Sequence, residues 1–233
     1  MPNEHRPAPE IVFNCALFRY FGTVEFGAAI GWQTQWLPKM VAQTAATMMA
    51  CGQNAFTGAY IIPSLGGGRP KAELVCENVL TPLWNARSKI ADTAVSTKSW
   101  RAAAMVLRQL PGFGGTGFLA KEVLQDVMHT PVLRECIDRN RWCPAGPGAR
   151  RGLNRIFDRP TNSALHEATA LQEMLGLFAR APGHLPSYMP SLELHDIQFQ
   201  LCEFDKYERV RLGEGRPRSI YRPPPNAPKM VAD

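Results

Sequence analysis

Residues 150–155 read Arg-Arg-Gly-Leu-Asn-Arg, placing three guanidinium groups and a side-chain amide within six positions. A guanidinium is a rigid fork of donors that matches phosphate oxygens, so Arg150, Arg151 and Arg155, with Asn154 beside them, are expected to bind a polyphosphate or a DNA backbone. Positive side chains early in a helix oppose its dipole unless an anion neutralises both. A second set lies in residues 192–211. At helical spacing Leu194, Ile197, Leu201 and Phe204 form one apolar stripe, with Asp205 at its edge, while Asp196, Gln200, Glu203 and Tyr207 share another face. A carboxylate at the margin of a core is costly unless it is used. Asp205, then Glu203 and Asp196, with Lys206 adjoining, are therefore the catalytic candidates; the alternatives are surface pairing of Glu203 and Lys206 and a structural salt bridge for Asp205. Asn14 and Arg19 sit in an apolar, aromatic helix, which calls either for a bound anion or for a salt bridge in the core.

A glycine hairpin is the next feature. The amphipathic run 100–110, capped from Ser96, Thr97 or Ser99, meets a Pro-Gly break, and a second apolar-periodic run starts at Phe118. Between them LPGFGGTG carries glycines that reach positive φ and admit a close backbone approach. The amides of Gly112, Gly114, Gly115, Thr116 and Gly117 then lie where a helix N-terminus favours an anion such as a DNA phosphate. A tight helix-to-helix turn without a ligand is the alternative.

The elements that must position these groups are all helical. Helices are expected over 11–21, 23–32 (capped by Thr23), 38–51 (opened by Pro38), 71–95 with a break near Pro82, 149–157, 163–180 and 192–211. Residues 163–180 are expected to turn Leu165, Ala168, Leu171, Leu175 and Phe178 inward. Residues 54–71 break the pattern, with a strand-like piece near 59–62 and three consecutive glycines. These precede Arg69 and Lys71 but match no Walker spacing, so a flexible connection is expected.

The 233 residues, 45% hydrophobic, suffice for a substantial core. The net charge of +6 is uneven. Residues 134–160 hold seven arginines against three acids, and residues 207–233 hold six basic residues against three acids, leaving the remainder near neutral. The six cysteines contain no CxxC pair and follow no secretory leader, which points to reduced thiols rather than a disulfide or zinc framework. No apolar run approaches the roughly 20 residues needed to span a bilayer, so no membrane partner is expected.

LPGFGGTGFLAKEVLQDV resembles the hairpin of the helix-hairpin-helix DNA glycosylase superfamily. PAGPGARRGLNR, LCEFDKYERV, FNCALFRYF and TGAYIIPS resemble its phage branch, the alpha-glutamyl/putrescinyl thymine pyrophosphorylases, also described as amino acid:DNA transferases. The similarity covers residues 11–210. It implies an all-α, two-lobed helix-hairpin-helix DNA glycosylase-like fold and a step of thymine hypermodification. In that step pyrophosphate on 5-pyrophosphoryloxymethyluracil in DNA is replaced by the amine of an amino acid or polyamine. Asn14, Arg19, Arg150, Arg151, Asn154 and Arg155 would hold the pyrophosphate, and an acid of the last helix would take the proton of the incoming ammonium. Mg2+ is a conceivable assistant, and the metal question stays open.

Two departures separate the chain from base-excising glycosylases. Gly146 stands where the catalytic aspartate of those enzymes aligns, and Thr116 where the Schiff-base lysine of the bifunctional ones aligns, with Lys121 more than a turn further on. A glycosylase of a modified base and a non-catalytic DNA-binding module are the rival functions. The expected organisation is a leader (1–9), a glycosylase-like domain (10–210) and a basic, proline-rich tail (211–233). Such a protein would be a monomer encoded by a phage, acting on double-stranded DNA in the host cytoplasm.

Overall fold

The helix α1 (Ala8–Phe21) buries Ile11, Val12, Phe13, Asn14, Ala16, Leu17, Tyr20 and Phe21. That set covers most of its circumference, as befits a helix surrounded by others. The computed structural model describes residues 5–58, 62 and 68–216. Aromatic rings fix α1 in place. Phe13 meets Trp36 and Trp84 edge-on at 4.9 and 4.8 Å, and Phe21 stacks on Phe26 and Phe56 at 4.2 and 4.8 Å. Gly22, at φ 72°, ends the helix in the left-handed region.

Then follow α2 (Val24–Ile30), capped by the Thr23 hydroxyl, and α3 (Pro38–Ala50), with proline in its first turn. α4 (Lys71–Val75) does not break before Pro82, as the sequence suggests. It passes through one π-helical turn, Cys76–Leu80, into α5 (Thr81–Thr97). Proline in the first turn of α5 has no N–H to give the preceding turn, and the widened turn accommodates that loss. Thr81 secures it, its hydroxyl donating to the Cys76 carbonyl at 2.9 Å while accepting from the Trp36 indole at 2.8 Å.

α6 (Trp100–Leu107) starts at the Ser99 cap. A remote acid reinforces that start: Asp138 accepts from the Trp100 and Arg101 amides at 3.0 and 3.1 Å and from the Ser99 hydroxyl at 2.6 Å. After the hairpin come α7 (Phe118–Val127), α8 (Pro147–Ile156), α9 (Glu167–Arg180), a 3-10 turn (Ala181–His184) and α10 (Leu194–Arg211). No strand occurs among the described residues. The strand-like piece near 59–62 and the glycine run fall almost wholly outside them, as does most of the basic tail.

The helices form two groups. α1 packs on α5 and α7, with α2 to α4 and α6 around them; α10 packs most closely on α8 and also on α9. The tightest point of the second group is Gly152, where a Cβ would stand 2.4 Å from the Leu201 carbonyl oxygen. Gly148, one turn earlier, would bring its Cβ to 3.1 Å from the Cys202 Sγ. The small residues of the arginine-rich motif therefore let two backbones approach. Three expectations need correction: α1 reaches into the supposed leader, α9 turns Ala170 and Met174 inward rather than Ala168, and Phe204 of α10 is exposed while Gln198 is buried.

Candidate functional site

The acids expected to do chemistry all have partners within the protein. Asp205 is 0% exposed and accepts from the Arg151 Nε at 2.7 Å and the Arg155 Nε at 3.1 Å. It therefore clamps α10 to α8, and Arg155 also reaches Glu214. Asp196 takes part in the capping box of α10, its carboxylate accepting from the Glu193 amide at 2.8 Å. Glu203 and Lys206 pair with each other at 2.6 Å on the exposed face. Arg151 and Arg155, expected at a polyphosphate, thus have acidic partners within the protein.

The amides and the remaining arginine have structural partners too. Asn14, fully buried, donates to the carbonyls of Glu10 and Gln33 at 2.9 Å and accepts from the Gln33 amide at 2.8 Å. Asn154, also fully buried, donates to the Thr161 and Ser163 carbonyls and accepts from Arg159, whose guanidinium grips Glu173 of α9 with two bonds. Arg150 donates to the carbonyls of Ala145 and Leu165. Polar groups in or near the core must find partners, and neighbouring backbone supplies most of them, around α1 for Asn14 and around α8 for Asn154 and Arg150.

The hairpin divides its glycines between packing and exposure. Gly112 (φ 84°) would place a Cβ 2.7 Å from the Tyr20 hydroxyl, which donates to its carbonyl at 2.9 Å, so α1 holds the turn directly. Gly117 (φ 75°) precedes α7 and lies against Arg108. Arg108 itself donates to the Gly115 carbonyl at 2.9 Å. Gly114 and Gly115 are exposed and Thr116 is half-buried. Among the described residues their amides meet no backbone acceptor. Of the five positions expected to touch DNA, these three keep amides without a backbone acceptor.

A second polar cluster lies where the two helix groups face each other. Lys121 of α7 is 1% exposed, and its ammonium has one acceptor among the described residues, Glu122 Oε1 at 2.8 Å. The other Glu122 oxygen stands 3.4 Å from Arg19, which forks onto Asp126. A line of alternating charge therefore runs from buried Lys121 to the half-exposed Asp126. Burial pushes the Asp126 carboxyl above its usual range, against the opposing pull of Arg19. Arg19 thus joins an ion-pair network, the second of its two expected readings.

α10 and the loop before α8 close the far side. Burial pushes the Cys143 thiol up to about 12 and raises that of Cys202, and the Lys121 charge opposes both shifts. Gln198, 1% exposed, donates its amide to the Cys202 Sγ at 3.3 Å. His195, 5% exposed, lies between Glu193 and Asp196. Two surface grooves, one between α3 and α4 and one beneath residues 181–192, lie elsewhere. Among the described residues no three or more His, Cys, Asp or Glu are arranged to hold a metal.

Lys121 and Glu122 follow Phe118 by three and four residues, the spacing of one helix face, and Gln198 falls between Leu194 and Leu201 on the stripe of α10. A charged pair and an amide on apolar faces were the signals available in the sequence.

All helical among the described residues, the chain keeps a lysine–carboxylate pair between two helix groups, beside a glycine hairpin. The comparison with known families makes the class specific. The model of the family described as "5-hmdU DNA kinase, helical domain" matches residues 2–216, and the chain belongs to that family. The name refers to 5-hydroxymethyldeoxyuridine, thymidine with a hydroxyl on its methyl group, so the family belongs to the modification of thymine in DNA. No curated protein and no solved structure matches the chain.

Proposed function

We propose that this protein is a phage DNA-modifying transferase that replaces the pyrophosphate of 5-pyrophosphoryloxymethyluracil in duplex DNA with the amine of an amino acid or polyamine. The observation that carries the reading is the buried Lys121–Glu122 pair. An ammonium with unused donors is suited to meeting the charge of departing pyrophosphate, and the adjacent carboxylate to taking a proton. The incoming ammonium gives a proton to Glu122, and its nitrogen lone pair attacks the methylene carbon on C5. As the carbon–nitrogen bond forms, the carbon–oxygen bond breaks and pyrophosphate leaves with the electron pair. Lys121 and Arg19 balance its charge. These residues take the roles that the sequence suggested for Asp205 and the arginines of α8.

DNA is held at the exposed amides of Gly114, Gly115 and Thr116, the phosphate-binding use of a helix-hairpin-helix turn, and the modified base swings out of the duplex toward the polar cluster. Mg2+, where it takes part, arrives with the pyrophosphate. The family's name favours a second reading, in which this helical module serves phosphorylation of 5-hydroxymethyldeoxyuridine.

One assay separates the readings. Duplex DNA carrying the pyrophosphorylated base is incubated with the protein and a mixture of amines, digested to nucleosides and weighed by mass spectrometry. An amine adduct supports transfer, while free base would make it a glycosylase. No change, together with phosphorylation of hydroxymethyluracil DNA when ATP is supplied, would favour the second reading.

A further inference from the structure

Gln198 is an amide on the core stripe of α10 whose bonding is incomplete. Its Nε2 donates one hydrogen to the Cys202 Sγ at 3.3 Å, a weak acceptor. Its Oε1 is buried and meets no donor among the described residues. Buried side-chain oxygens are nearly always paired, so one without a partner asks for a ligand. The contact with Cys202 also sets the direction of the amide. With one hydrogen on sulfur, the other hydrogen and the bare oxygen are left as a donor beside an acceptor.

The complement of that edge is an acceptor beside a donor. The imide edge of uracil provides it, with the O4 carbonyl next to N3–H. Cytosine differs at both atoms, carrying an amino group at position 4 and no hydrogen on N3. An aromatic ring lies at the same point. Gly146 has no side chain, and a Cβ there would stand 3.5 Å from the Phe118 ring and 3.8 Å from the Gln198 Nε2. Phe118 is half-buried and opens α7 one turn before Lys121, so a base that meets Gln198 by its edge lies near the helix that carries the ammonium.

We propose that Gln198 is the base-reading residue of the site, with Oε1 accepting from N3–H and Nε2 donating to O4 of an extruded 5-substituted uracil. The inference rests on the modified-base reading above and adds to it the determinant of uracil over cytosine.

The test uses the full chain and three duplexes, each with one target base opposite an abasic site so that extrusion costs the same. The targets are 5-hydroxymethyluracil, its N3-methyl derivative and 5-hydroxymethylcytosine. The parent is expected to bind the first at least about tenfold more tightly than the other two, the discrimination of a good bidentate base contact. Q198L and Q198M are expected to bind all three alike, with affinity for hydroxymethyluracil reduced about tenfold, and to melt no lower than the parent, because the oxygen they remove has no partner. Variants that keep the parent's preference overturn the proposal. So does a clear fall in the melting temperature of both, which would give the oxygen a structural partner. A parent that binds all three duplexes alike would sink the modified-base reading itself, and the role of Gln198 with it.

Discussion

Asp205 has two readings in the sequence, a catalytic acid or a structural salt bridge, and in the fold it sits in salt bridges. A carboxylate on the edge of an apolar stripe has to be used, and its use here is to receive two guanidiniums from α8. Removing one member of a buried ion pair leaves the others uncompensated, so D205N is expected to lose about 3 kcal/mol. Urea unfolding monitored by circular dichroism reads that loss, and an unchanged midpoint would contradict the clamp. The sequence exposed the need of Asp205 for a partner but not the partner's identity, because fifty residues and a helix crossing separate it from Arg155. Lys121 is the opposite case. Its position on the apolar face of α7 was legible, while its shortage of partners depends on α1 and α10 and is visible only in the folded chain.

At the scale of elements, helix existence was readable from periodicity and caps: Thr23, Pro38 and Ser99 mark starts that the structure keeps. The π turn before Pro82 was not readable, since proline normally signals an end, and here the surrounding packing carries the helix through. The crossing of α8 and α10 was equally hidden, because a glycine shows closeness only when its neighbour is known. G152A would bring a methyl group against the Leu201 carbonyl, and overpacking of this kind costs about 1–3 kcal/mol. Thermal melting should fall accordingly, and a parent-like melt would mean that the helices part without cost.

α10 also carries a pH-sensitive point. Burial, the largest influence, lowers the His195 pKa from its ordinary 6.5; Asp196 and Glu193 oppose the shift, and Lys121 and His129 add to it. The unfolded chain therefore binds a proton more readily than the folded one in the window just below 6.5. Stability rises with pH through that window, is fully present above it, and is lost as pH falls. Melting temperatures taken from about pH 7.5 to about pH 5.5 should decline for the parent and decline less for H195Q. Parallel curves would remove His195 as the cause.

For the whole molecule, the uneven charge seen in the sequence is partly spent inside the fold, since Arg150, Arg151, Arg155 and Arg159 of the basic segment all have protein partners. The net charge of +6 is thus a poor map of where DNA would sit. The hairpin is a better one. At Gly114, where φ is not positive and the nearest obstacle to a Cβ is the Arg108 carbonyl at 3.4 Å, a valine is tolerated by the backbone but shields the outward amides. G114V is expected to weaken binding to every DNA sequence alike and to lower the slope of log affinity against log salt by about one. Unchanged affinity and slope would remove the hairpin from the interface.

The buried lysine carries the account, and the most direct measurement is single-turnover release of pyrophosphate from duplex DNA bearing one 5-pyrophosphoryloxymethyluracil, in the presence and absence of amine. The parent should release pyrophosphate in step with amine incorporation. K121M, assayed below its own melting temperature, should bind the duplex as the parent does yet release pyrophosphate at least about a hundredfold more slowly, the loss typical of removing one transition-state charge contact. Release by K121M at the parent's rate, or none from the parent with any amine, would contradict the assignment.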